Sequence, residues 1–219
     1  MAELRTEEEQ INALKNWWNE NGKSLVLGVA AAIALVVGWQ AWQTRQEQRA
    51  AAASVLYQNL SEAVQLASVQ ADDSQYATAK HLAEQLKQEH EGTAYARFAA
   101  LALAAAAVRQ EDYAQASTEL DWAIAAADET DDISRVATLR KAALLQQQSE
   151  EQAAVTLLKS LDAGTFEAER QELLGDVLKA QGQSQQAFAA YEAALEAAGG
   201  EQLRPLLKMK RDDLVGASS

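Results

Sequence analysis

The 219-residue chain has no cysteine, a single proline (Pro205), two histidines and only ten glycines. Without cysteine there is no disulfide, no thiolate metal site and no cysteine nucleophile. The absence also suits an oxidising compartment, where stray thiols are a hazard. Strands need turns rich in glycine and proline, so the scarcity of both points to long helices. No stretch alternates apolar and polar residues at period two, which speaks against a sheet. Basic residues are outnumbered, 19 against 32 acidic, for a net charge of −13. Such a surface repels nucleic acid and the anionic face of a membrane.

What the chain has in quantity is alanine. Ala99 to Ala107 alone holds seven alanines in nine positions. Alanine is the strongest helix former, and its small side chain lets helices approach closely.

Ser24 to Trp42 carries no charge, and nothing more polar than glycine interrupts Leu25 to Trp39. At about 1.5 Å per residue this stretch spans roughly 28 Å, close to the hydrocarbon thickness of a bilayer. Trp17 and Trp18 precede it, and Trp39 and Trp42 lie at its far end. Indole rings favour the headgroup layer. Lys23 and Arg45 bound the apolar run, and Gly28 and Gly38 leave room for another helix. A buried core helix would carry polar positions at helical spacing, and none occurs before Gln40. A cleaved signal peptide would have a short basic leader, whereas here Glu3, Glu7, Glu8, Glu9 and Glu20 precede the run. The expectation is a transmembrane helix at 24–42 after an N-terminal tail at 1–23. Three basic residues before the run and two in the twenty after it (Arg45, Arg49) lean toward a cytoplasmic tail without deciding it. Ile11, Leu14, Trp17 and Trp18 also form an amphipathic stretch suited to a membrane surface.

Beyond residue 42 the chain compares with itself. Gly175 is followed by Gly182, Ala187, Tyr191 and Ala194, the spacing of a tetratricopeptide hairpin. Gly175 and Ala187 fall where two helices cross, Gly182 at the turn, and Leu178 and Tyr191 beside the crossing. Ala142, Ala154, Leu158 and Leu161 repeat the frame 33 residues earlier, and Ala104, Ala116, Leu120 and Ala123 repeat it 38 before that. Tyr113 joins the latter unit, and Ala67, Tyr76, Ala79 and Leu86 make a fainter one. The alternative is an irregular alanine-rich bundle. The expected fold class is all-α: one transmembrane helix plus a tetratricopeptide-like helical-hairpin solenoid. In that division 43–94 is a helical linker with a degenerate first repeat. Residues 95–219 are the repeat domain, closed by a capping helix at Leu203 to Leu214 with Pro205 in its first turn.

Catalytic and metal signatures are scarce. His81 and His90 face opposite sides of a helix, and His81 with Glu84 is too few ligands for a metal. There is no phosphate loop, no GxSxG and no HExxH. The clusters Asp72-Asp73 and Asp128-Glu129 with Asp131-Asp132 lack the ligand spacing of a calcium loop and read as helix N-terminal charge. The expectation is no enzyme, no cofactor and no small-molecule substrate.

In a tetratricopeptide array the first helix of each hairpin lines the concave face. That frame offers Phe98, Leu101, Ala105 and Val108, then Val136, Leu139, Ala143 and Gln146, then Glu169, Glu172, Asp176 and Lys179. An apolar groove with an acidic end suits an amphipathic or partly unfolded polypeptide of basic character. The competing reading buries these residues against neighbouring helices or under the helix near Tyr57.

The run Trp17-Trp18-Asn19-Glu20-Asn21-Gly22-Lys23, then Gly28, Gly38-Trp39 and Trp42, resembles the start of the YfgM family. Tyr57-Gln58-Asn59, the Leu174 to Leu195 repeat and Met209-Lys210 extend the resemblance in order over nearly the whole chain. It implies an ancillary subunit of the bacterial SecYEG translocon. Such a subunit is a single-pass inner-membrane protein with a cytoplasmic N-terminus and a periplasmic repeat domain. Its implied partners are the translocon, the periplasmic chaperone PpiD and exported polypeptides. The resemblance supplies no residue-level site, and the alanine-rich repeat from Tyr95 departs from a well-formed consensus. Three classes of function stay open: an interaction module at the export channel, a scaffold for another inner-membrane or cell-envelope complex, and an enzyme lacking a visible catalytic constellation.

Overall fold

The computed structural model describes residues 7–70, 73–126, 131–200 and 204–216, and these are helical with no strand among them. In chain order the helices are α1 (Glu7–Gln70), α2 (Asp73–Glu89), α3 (Ala94–Arg109), α4 (Tyr113–Ala125), α5 (Asp132–Gln147), α6 (Glu151–Ser160), α7 (Glu167–Ala180), α8 (Ser184–Ala197) and α9 (Pro205–Gly216). A single 3₁₀ turn, Gly164–Phe166, precedes α7. The tail 1–6, Asp72, Asp128, Glu129 and Leu203 lie outside the described residues. The chain divides into two compact units, Met1–Ala51 and Ala52–Ser219.

In the first unit, α1 runs unbroken through 23/24 and 42/43, so those expected boundaries are changes of composition and not of backbone. Its apolar side chains, Leu25 to Trp42 included, are exposed, and the stretch is long and apolar enough to cross a membrane. The Trp39 and Trp42 rings meet at 5.2 Å between centroids. The indole of Trp18 covers Gly22 one turn on, while Gly28 and Gly38 face open space.

The second unit is a run of antiparallel hairpins. The end of α1 packs with α2, and α3 pairs with α4, α5 with α6 and α7 with α8. Successive hairpins touch through α2–α3, α4–α5 and α6–α7, and the first helices also meet as α3–α5 and α5–α7. The small residues of the repeat frame lie inside these contacts. Ala104 and Ala116 are buried with Leu120 and Ala123; Ala142, Ala154, Ala187 and Tyr191 are buried in the next cluster with Leu158. Gly175 marks the closest approach. A Cβ there would stand 2.5 Å from the ring of Tyr191, which is fully buried.

The hairpins α3–α4, α5–α6 and α7–α8 turn in the same way. Glu111, Ser149 and Gly182, each seven residues after the crossing residue of α3, α5 or α7, adopt left-handed φ angles of 58°, 61° and 74°. The next residue's amide bonds back to a carbonyl five residues earlier: Asp112 to Ala107, Glu150 to Leu145 and Gln183 to Leu178, at 2.8–2.9 Å. This closes the last helical carbonyls into a Schellman turn. Asp112 then caps α4 by accepting from the Gln115 amide at 3.1 Å, and Asp131 caps α5 from Ile133 at 2.8 Å.

Two outcomes follow for unfolding followed by circular dichroism at increasing urea. Ser149→Gly removes the left-handed penalty of an L-residue, about 1 kcal/mol, and raises the midpoint. Gly175→Ala gains about 1 kcal/mol of helix propensity. It also forces the Tyr191 ring to move, an overpacking cost of about 1–3 kcal/mol, so the midpoint falls.

Candidate functional site

The first helices of two hairpins build a hollow. Leu101 and Ala105 on α3 are four residues apart, as are Val136 and Arg140 on α5, so each pair looks out from one helical face. Phe98, Leu101, Val136, Arg109 and Arg140, with Tyr57 and Val64 of α1, line a groove of about 600 Å³. A second hollow of about 290 Å³ continues along the same helices past Ala104, Val108, Ala143 and Leu144. Ala105, Arg109 and Arg140 belong to both. The walls are mostly hydrocarbon. Tyr57 stacks at tilted angles on Tyr95 and Phe98, with centroids 5.9 and 6.1 Å apart, which fixes the α1 wall.

The residues expected along this face divide three ways. Phe98, Leu101, Val108 and Val136 line the hollows, Phe98 being 39% exposed and Leu101 only 8%. Leu139 packs instead against the cluster around Ala142 and Leu158. The expected acidic end is not open: α9 lies over it. Arg204 bonds Glu169 and, at 3.3 Å, Glu172, while Lys210 reaches Glu172 and Asp176 at 2.8 Å each. Lys179 faces Asp213 at 3.8 Å. Beneath these pairs Leu207 and Leu214 enter the core. The carboxylates that would have drawn a basic partner are largely engaged within the fold.

Arg109 and Arg140 were not foreseen. Arg109 donates to Ser68 Oγ at 2.6 Å and Arg140 to the Leu101 carbonyl at 3.3 Å. Their signal was available, since each follows a groove residue by one helical turn. Another unforeseen feature is a buried pair. Lys87 of α2 bonds Glu119 of α4 at 2.9 Å, with Glu119 1% exposed. Gln115 donates to the same carboxylate at 2.7 Å, and the Trp122 ring lies 5.7 Å from the ammonium. Burial disfavours the charged lysine, but the hydrogen bonds and charges of Glu119 and Glu84 together outweigh it and raise its pKa. Tyr76 is pushed up to about 12 by burial and by Asp112, to which it donates at 3.4 Å. Among the described residues no three metal-ligating side chains converge.

Stacked helical hairpins that follow a helix long and apolar enough to cross a membrane define a tetratricopeptide-like helical solenoid with an N-terminal apolar helix. Comparisons with known proteins agree. The family model described as tetratricopeptide repeat-like domain matches residues 15–216. A Haemophilus influenzae protein is 31% identical over 98% of this chain and 100% of its own length. One from Aggregatibacter actinomycetemcomitans is 33% identical over 91% and 93%. An Escherichia coli protein is 30% identical over 98% and 99%. Each relative is named Ancillary SecYEG translocon subunit. The chain belongs to this family, the YfgM family, with its tetratricopeptide repeat-like domain.

The α7–α9 cluster has a pH signature. Burial, then the bond to Asp176, raises the Tyr191 hydroxyl above its ordinary 10.0. Burial opposes the Lys210 charge, but the bonds to Asp176 and Glu172 prevail and raise it above 10.5. Both groups keep their protons in the fold at a pH where the unfolded chain releases them. The folded state then binds more protons, so stability falls as pH rises. The urea midpoint is expected to be flat near neutrality and to drop above about pH 10, with a shallower drop in Tyr191→Phe, measured by fluorescence or circular dichroism.

Proposed function

We propose that the chain is a non-enzymatic, membrane-anchored interaction subunit associated with the SecYEG translocon. Its apolar helix at 24–42 is the inner-membrane anchor, with the N-terminus cytoplasmic and the repeat domain periplasmic. The groove between α3 and α5 receives a segment of another protein, and the family points to a periplasmic chaperone such as PpiD or to an emerging exported polypeptide. The observation that carries this reading is the pair of joined apolar hollows, about 600 and 290 Å³, on the face made by the first helices. A soluble domain gains nothing in stability by leaving Phe98 and Val136 beside an unfilled hollow, and an exposed apolar groove marks a binding surface. The family's association with the translocon supports the choice of neighbours.

Photocrosslinking in membranes tests it. A photoreactive side chain at Phe98 or Val136 is expected to give adducts with polypeptides in transit or a periplasmic chaperone. The same group at Trp39 is expected to give adducts with the channel. Probes on the outer faces at Glu192 and Thr156 should stay unlinked. Equal labelling from Phe98, Val136, Glu192 and Thr156, or none from Phe98 and Val136, overturns the groove reading.

A further inference from the structure

We infer that the groove's occupant is an acidic, apolar peptide segment, one that sets a carboxylate between apolar side chains. This rests on the reading of the groove as a protein-binding face. The starting observation is charge. In a chain of net −13, basic side chains around the groove are taken up by carboxylates: Arg97 by Asp131 at 3.2 Å, Arg135 by Asp132 at 3.1 Å, and Lys141 by Asp121. Arg109 and Arg140 differ. Their contacts within the described residues are a hydroxyl and a backbone carbonyl, so neither has a carboxylate partner there. Both are exposed, and both stand on the walls of both hollows. A guanidinium has five N–H donors in a planar fork suited to a carboxylate, and one hydrogen bond leaves most of them free. Among the described residues of the groove wall the one acid, Asp132, already holds Arg135.

The position of the arginines sets the shape of the ligand. An apolar hollow extends to either side of them, the larger toward Phe98 and Val136, the smaller toward Val108 and Leu144. A peptide meets this arrangement by pairing a carboxylate with the arginines and placing an apolar side chain in each hollow. An acyl chain has its carboxylate at one end and fills only one. A basic segment brings its charge against Arg109 and Arg140, while Glu169, Glu172 and Asp176 are already held by Arg204 and by Lys210 of α9.

The test uses the full chain in nanodiscs of phosphatidylcholine. The probes are three fluorescein-labelled decapeptides alternating leucine with glutamate, glutamine or lysine, read by anisotropy, and dodecanoate, read by calorimetry. The glutamate peptide is expected to bind tightest. Its affinity should fall with added salt, and roughly tenfold in Arg109→Gln combined with Arg140→Gln. Circular dichroism melting checks that the double variant is folded; if it is not, the salt dependence and the peptide ranking of the unaltered chain decide. Equal binding of the glutamate and glutamine peptides, lost in Val136→Glu, overturns the acidic assignment and leaves the groove standing. Tightest binding of the lysine peptide does the same. Arginine-dependent binding of dodecanoate with no binding of any peptide overturns the peptide assignment. Absence of all binding alongside Phe98 crosslinks in membranes overturns the chemistry proposed here, whereas absence of those crosslinks overturns the groove itself.

Discussion

Two helix backbones can nest only where the side chains between them are small, and this architecture depends on that condition being met once per hairpin. In the hairpins α3–α4, α5–α6 and α7–α8 it is met by Ala104 with Ala116, Ala142 with Ala154, and Gly175 with Ala187, each buried. Small residues alone would make a weak core. Burying a methyl group contributes about 0.8 kcal/mol, far less than a leucine or aromatic side chain. The frame answers this by setting a large residue one turn after the second small one: Leu120, Leu158 and Tyr191, all essentially buried. Close approach and a side plug are thus one device. Where the plug is largest, at Tyr191, the crossing residue is reduced to glycine, because a Cβ would meet the ring at 2.5 Å. The first helices of neighbouring hairpins come to lie side by side as a consequence, and the groove is what remains between them.

This explains how much could be read from residues alone. The hairpins were legible because a backbone crossing demands a residue type at a fixed interval, and that demand survives even in a degenerate repeat. The turns were legible only at Gly182. Glu111 and Ser149 take the same left-handed conformation with residues that do not advertise it, since the back-bonded amides of Asp112 and Glu150 hold the turn regardless. Lys87 and Glu119 were hidden for a different reason. A charge in a helix reads as a solvated face, and only the packing of α2 and α4 about α3 brings the pair together in a buried place. The groove was partly legible. Phe98, Leu101, Val108 and Val136 follow from helical register, but Leu139 turns toward the core, and the arginines gained meaning only once their missing partners could be seen.

The expected acidic end is the most instructive difference. Register alone puts Glu169, Glu172 and Asp176 on the line of the groove, and the capping helix expected at Leu203 to Leu214 brings basic residues that register along α7 does not place. A solenoid must end, and its last hairpin would otherwise leave an apolar face open. The helix α9 closes it by seating Leu207 and Leu214 against the α7–α8 hairpin. Doing so brings Arg204 and Lys210 onto the carboxylates of α7.

The same closing step divides the face made by the first helices into two electrostatic regimes. Along α7 the acids and bases belong to one another, and partly exposed pairs of that kind contribute modestly to stability while offering little to a newcomer. Along α3 and α5 the apolar walls are unfilled and two guanidinium groups have no counter-charge in the described chain. Apolar area supplies affinity without direction, whereas unpaired charge beside it supplies register and selects among partners. Within a chain of net acidic charge, two guanidinium groups without a carboxylate partner among the described residues therefore stand beside this groove, between the first helices of its alanine-rich repeat and of the repeat that follows.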